Sequence, residues 1–150
     1  MTQKANIYYA WIGGSCDYGH KERAGAAAVV IERNGDIVMK DVIADLHTTE
    51  FRMILTLMVK VMQELPDGSD IVFLTNAAYI QNFDKAPTAK SANADLIAQC
   101  IEFKKRHHSA MVSIVKYHKS PLLIETHDTS TEAMKKRRKI KTNLKLTASI

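Results

Sequence analysis

Ile7–Ile12, IYYAWI, is a run of apolar and aromatic residues and predicts a first strand. A polar segment, GGSCDYGHKER, follows, and apolar character resumes in AGAAAVVIERNGDIVMKDVIA. Asn34-Gly35, at the centre of that stretch, has the chemistry of a two-residue type I′ turn. Strands near 25–32 and 37–44 should therefore pair antiparallel, with Ile7–Ile12 beside them as a third. The period then changes. In EFRMILTLMVKVMQEL, Met53, Leu57, Val61 and Leu65 recur every four residues, and Ile54 and Met58 widen the stripe. This predicts a helix, capped by Thr48 or Thr49 and ended by Pro66-Asp67-Gly68. IVFLT (71–75) is a short continuous apolar run, as expected of a central strand covered on both faces.

Beyond it the sequence predicts a short helix from Ala77, a loop FDKAPTAKSAN and an amphipathic helix ADLIAQCIEFKKRHH. An alternating strand MVSIVKYH (111–118) and a last helix from Asp128 to about Lys141 complete the chain. The order β-β-β-α-β-α-α-β-α implies an α/β fold. Its mixed five-stranded sheet has three antiparallel strands followed by parallel ones, flanked by helices.

At 150 residues and 46% hydrophobic, the chain suits one globular domain with a real core. No apolar run approaches the roughly 18 residues of a membrane span, and no leader precedes Ile7 beyond Met1–Asn6. Cys16 and Cys100 lie far apart without CxxC spacing, which predicts reduced thiols with no disulfide partner and a cytoplasmic protein.

The net charge of +5 changes meaning once it is divided. Of the 21 basic residues, seven (Lys135, Lys136, Arg137, Arg138, Lys139, Lys141, Lys145) fall in 135–150, which holds no acid. That leaves 14 basic against 16 acidic residues in 1–134. The expected division is a domain over 1–134 and a basic helix end or tail over 135–150. Such a tail suits phosphate contacts, a targeting signal or a solvated helix end.

Several short motifs carry candidate chemistry. His107-His108 after Lys-Lys-Arg reads as a solvated helix end, where cations complement the helix dipole. Cys16 with His20 makes at most a nucleophile pair without an orienting partner. His118, His127 and Asp128 offer three potential transition-metal ligands in one region. Trp11 and Tyr8-Tyr9 sit in the first strand and suit a core better than a stacking platform.

Four further stretches, in order, resemble the ribonuclease HI family. GGSC (13–16) stands where the family has Asp-Gly-Ser, and TTEFRMIL (48–55) is similar to Thr-Thr-Asn-Asn-Arg-Met-Glu-Leu. LTNAAYI (74–80) is similar to Thr-Asp-Ser-Gln-Tyr-Val, and VKYH (115–118) to Val-Lys-Gly-His. Asp128, ten residues beyond His118, falls where the last family aspartate would be.

The resemblance implies a ribonuclease H-like fold. It also implies hydrolysis of the RNA strand of an RNA–DNA hybrid by two Mg²⁺ ions about 4 Å apart, held by four converging acids. Mapped onto this chain, those acids become Gly13 (or Ala10 if the register slips), Ile54, Asn76 and Asp128, with His118 in place of the mobile-loop histidine. Three of the four carboxylates are absent, so no metal is expected. Glu50, one helical turn before Ile54, and Asp17 are the candidates to rescue a site. Asp128 and Glu50 would be its ligands, and Mg or Mn its cofactor.

The expected function is therefore a catalytically inactive ribonuclease H-like pseudoenzyme. Its partner would be nucleic acid (RNA–DNA hybrid or duplex) or a nucleic-acid-processing protein. The binding residues would be Asn76, Lys116, His118, Lys119, Lys135, Lys136, Arg137 and Arg138. The alternative is a residual Mg- or Mn-dependent ribonuclease H acting through the relocated site.

Overall fold

A computed structural model describes residues 7–85 and 93–148, the last eight through their backbone only. The side chains of Lys141 and Lys145, and most of the loop expected at 83–93, lie outside the described residues. The strands are β1 (Ile7–Cys16), β2 (Gly25–Arg33), β3 (Asp36–Asp45), β4 (Asp70–Thr75) and β5 (Ser109–Ile114). The helices are α1 (Glu50–Glu64), α2 (Ala94–Lys104) and α3 (Pro121–Ala148), with 3₁₀ turns at Ala78–Asn82 and Tyr117–Lys119.

The five strands lie in the order β3-β2-β1-β4-β5. The β1–β2 and β2–β3 pairs are antiparallel, and β4 is parallel to both β1 and β5. The sheet is thus the mixed one expected. Asn34 and Gly35 both take positive φ (57° and 82°), as a type I′ turn demands, and Arg33 pairs with Asp36 across it.

Alternation along β1 sets the two layers. Tyr8, Ala10 and Ile12 enter the core with the α1 stripe, whose Met53, Ile54, Leu57, Met58, Val61 and Leu65 are all buried. Thr49 caps α1, its Oγ1 accepting the Arg52 N–H at 3.1 Å. Arg52 then grips Asp95 with two hydrogen bonds (3.2 and 2.8 Å), tying α1 to the first turn of α2. On the opposite face α3 packs across β1, β2 and β3. Ser15 of β1 meets Ser130 and Thr131 of α3 at 3.0 and 2.8 Å, and there the contact is made by hydroxyls.

Several boundaries differ from expectation; α2, for one, ends at Lys104 rather than His108. β1 does not stop at Ile12 but continues to Cys16, because Gly13–Cys16 remain laddered to Gly25–Ala28 of β2. β5 ends at Ile114; the Val115 N–H makes a last bond to the Thr75 carbonyl (2.9 Å), and the chain then turns through Tyr117–Lys119. α3 starts at Pro121 rather than Asp128, with proline at the first helical position, where its missing N–H costs nothing. As expected of a last helix reaching about Lys141, it runs unbroken past residue 134, so the basic run begins inside it.

Both cysteines are free. Cys100 is fully buried, and that burial pushes its thiol up to about 12. Among the described residues no helix is long and apolar enough to cross a membrane.

The His107-His108 pair corrects its reading as a solvated end. His107 is buried, with Nε2 2.7 Å from the Met62 carbonyl oxygen, and pins the α2–β5 connection to α1. Only His108 is exposed, and its Nδ1 sits 2.6 Å from Asp70 Oδ1, which also accepts the Ser109 hydroxyl at 2.7 Å. These contacts hold the Asp70 carboxyl below its ordinary value, Ser109 first and His108 second, and Asp70 holds the His108 imidazole above its own. The imidazole's contribution to stability is complete below 6.5 and is lost as pH rises through its elevated value. That of Asp70 is present above 3.8 and is lost as pH falls through its lowered value. An NMR titration should place the His108 midpoint above 6.5, and Asp70→Asn should return it toward 6.5. An unshifted midpoint in the unmodified protein contradicts the pair.

Candidate functional site

Where β1 and β4 end, a small cleft of about 90 Å³ opens between α1 and α3. Its walls are Gly13 and Gly14 of β1, Glu50 and Ile54 of α1, Thr75 at the end of β4 with Asn76 and Ala77 beyond it, and Leu123 and His127 of α3. Three of the four positions that the resemblance singled out, Gly13, Ile54 and Asn76, therefore meet in one place. Ala10, the slipped alternative, is fully buried in the core away from it.

The two glycines set how closely the helices approach. A Cβ on Gly13 would stand 2.9 Å from Thr126 Oγ1 on α3. One on Gly14 would stand 3.1 Å from both Glu50 Cγ and Ile54 Cγ1 on α1, and 3.0 Å from the Ala26 carbonyl. Neighbouring residues of a strand point to opposite faces, so each glycine accepts one helix. Ile54 is 1% exposed and seals the cleft floor.

Glu50 is the cleft's carboxylate. It occupies the first turn of α1, where the helix dipole favours negative charge, and its Oε1 accepts the Tyr79 hydroxyl at 2.5 Å. Burial first, and Glu50 second, push the Tyr79 phenol well above the usual tyrosine range, so it remains a donor. Tyr79 also stacks edge-on against Phe51, centroids 4.9 Å apart. Asn76 is exposed at the cleft mouth. Tyr117 stands between His118 and His127, edge-to-face with each at 5.6 and 5.5 Å, and links the exposed Lys116–Lys119 turn to the cleft.

Two sequence expectations need correction. Asp128 does not line the cleft; it faces another depression, with Val42, Thr129, Glu132, Ala133 and Lys136. Its neighbour His127 holds the cleft position. Asp17 does not reach inward either. It accepts hydrogen bonds from Arg138 and from the Gly19 N–H (3.2 Å), and His20 Nδ1 lies 2.6 Å away. That removes the Cys16–His20 pair as well, since the Cys16 thiol is directed at the Thr48 carbonyl (3.5 Å) and burial pushes it up. Gly14, Leu123 and Tyr79 were missed, and His127 was named only as a potential metal ligand beside His118 and Asp128. The signal for the α3 pair is the helix start at Pro121, from which Leu123, Thr126 and Ser130 recur on one sheet-facing stripe.

The fold is shared with solved structures. The chain superposes on LC9-RNase H1, a type 1 RNase H with the type 2 active-site motif, with a TM-score of 0.74 at 17% identity, over 89% of this chain and 74% of that one. The chain has the ribonuclease H-like fold. RNase H1 from the halophilic archaeon Halobacterium salinarum NRC-1 gives 0.66 at 11% identity, over 85% of this chain and 98% of its own. LC11-RNase H1 in complex with an RNA/DNA hybrid gives 0.67 at 14% identity, over 86% and 97%. No protein-family model and no curated protein matches the sequence.

Two Mg²⁺ ions, the group that the ribonuclease H-like fold implies, need several converging oxygen anions. The cleft supplies one carboxylate, one amide, one imidazole and the Thr75 hydroxyl, which already accepts the Ala77 N–H, among glycines and aliphatic side chains. Among the described residues no three His, Cys, Asp or Glu side chains are grouped to hold an ion. This donor set does not fit the metal pair.

The packing around the glycines predicts that restoring the strand acid alone is harmful. Gly13→Asp should lower stability in urea denaturation by about 1–3 kcal/mol, because Thr126 and Leu123 leave its side chain no room. Gly13→Asp with Thr126→Ala should recover part of that loss. Unchanged stability of the single variant contradicts the close approach of α3.

Proposed function

We propose that this chain is a catalytically inactive ribonuclease H-like protein that binds nucleic acid across the cleft without a metal pair. The observation that carries this reading is the floor made of Gly13, Gly14 and Ile54, with Glu50 held by Tyr79. A cluster of four unmetallated carboxylates repels a phosphodiester. Here one remains, and a phenol O–H already donates to it. A sugar–phosphate backbone can then lie over the cleft mouth, where Asn76, His118, Lys116 and Lys119 are exposed and offer donors. Lys135, Lys136 and Arg137 on α3 add a long-range attraction that salt screens. Arg138, bonded to Asp17, contributes charge from a fixed position. The hybrid bound by the similarly folded LC11-RNase H1 makes hybrid or duplex the ligand class to test first.

Fluorescence anisotropy with a labelled RNA–DNA hybrid and a duplex, in EDTA and in Mg²⁺, decides the matter. Binding should be the same in both, weaken at least about tenfold between 50 and 300 mM salt, and leave the RNA strand intact. Glu50→Gln should tighten binding a few-fold by removing the last cleft charge. Cleavage with Mg²⁺ or Mn²⁺ that disappears in Glu50→Gln would instead establish the residual hydrolase. No binding at 50 mM salt would leave a protein partner as the reading.

A further inference from the structure

α3 carries a second surface, on the flank away from His127. Glu125, Asp128, Glu132, Lys136 and Lys139 follow one another at three- and four-residue spacing, so they form one stripe along the helix. Its first half is acidic and its second half basic. Beneath the stripe, between α3 and β3, run two adjoining depressions that share Val42 and Thr129. One has a floor of Ala28, Val29 and Val30; the other is flanked by Ala133. The large apolar side chains of this flank are unusually open, Val38 at 51%, Val42 at 41% and Ile140 at 51% exposed. Glu125 is bridged to Lys40 at 2.8 Å. Among the described residues, the side chains of Asp128, Glu132, Lys136 and Lys139 enter no hydrogen bond or ion pair.

We infer that this flank is where a second copy of the chain docks, with two α3 helices side by side and antiparallel. The charge pattern selects that partner. Turned end for end about a two-fold axis near residue 134, the stripe is complementary to itself, and Glu132 of each copy faces Lys136 of the other. The same operation brings Thr129 opposite Lys139 and Asp128 opposite Ile140. Each exposed Ile140 then falls on the partner's depression at Val42, Thr129 and Ala133. A parallel pairing would instead set acid against acid and base against base. The contact from Glu125 to Ile140 spans about 22 Å of helix, which suits a modest, reversible dimer rather than an obligate one. It leaves the cleft uncovered, because Leu123 and His127 lie on another side of α3.

Sedimentation equilibrium of the full chain without nucleic acid tests this directly. At low salt the protein should dimerise at concentrations up to about 100 µM, and about 500 mM salt should weaken association. Glu132→Lys and Lys136→Glu should each weaken dimerisation at least about tenfold, and the double charge swap should restore it. Ile140→Ser should weaken it with the circular dichroism spectrum unchanged, since Ile140 is half exposed. A monomer at every concentration overturns the proposal, as does a dimer insensitive to both reversals or a swap that fails to restore association. If Lys136→Glu weakens nucleic-acid binding while the mass stays monomeric throughout, the stripe serves nucleic acid and the dimer is overturned.

Discussion

At Gly13 and Gly14 the central strand has no side chains, and helices from opposite faces of the sheet close onto its backbone. Thr126 of α3 and Ile54 of α1 stand where any Cβ would intrude. The cleft's size and the burial of Ile54 follow from that approach. The glycines are thus packing elements as much as missing ligands. An acid returned at position 13 would have to displace a helix that Ser15, Ser130 and Thr131 bind to the same strand.

The same approach organises charge. With α3 held against β1, its cleft side presents Leu123 and His127, and its outer flank presents the acidic-then-basic stripe. Arg138 is drawn down onto Asp17, so the acid in the first loop is consumed by a structural contact before any metal could claim it. Glu50 is likewise engaged by Tyr79. Glu50 and Asp17 therefore each have a neighbour that answers their charge or their hydrogen-bonding need. In the proposed reading, this lets a polyanion approach without a divalent ion.

The order of elements was legible because its signals are local. Asn34-Gly35 forces a hairpin, and the four-residue recurrence from Met53 to Leu65 forces a helix whose buried face is the one foreseen. Tertiary contacts set the boundaries that sequence misplaced. GGSC looks like a loop by composition, yet it is strand because β2 ladders it and two helices cover it. The meeting of Gly13, Ile54 and Asn76 was legible through the family resemblance. Asp128 was not placed correctly, because counting ten residues from His118 lands one position past His127. On a helix one residue is a rotation of about 100°, enough to move a side chain from the cleft to the outer flank. The Asp17–Arg138 contact joins residues 121 apart in sequence and had no local signal.

The central proposal is that the cleft is closed by packing and holds no metal pair. Titrating Mn²⁺ into the isotopically labelled protein and following amide relaxation tests it most directly. No selective, saturable broadening is expected at Gly13, Gly14, Ile54 and Asn76 at substoichiometric Mn²⁺. Selective broadening there that saturates, and that is lost in Glu50→Gln, would contradict it.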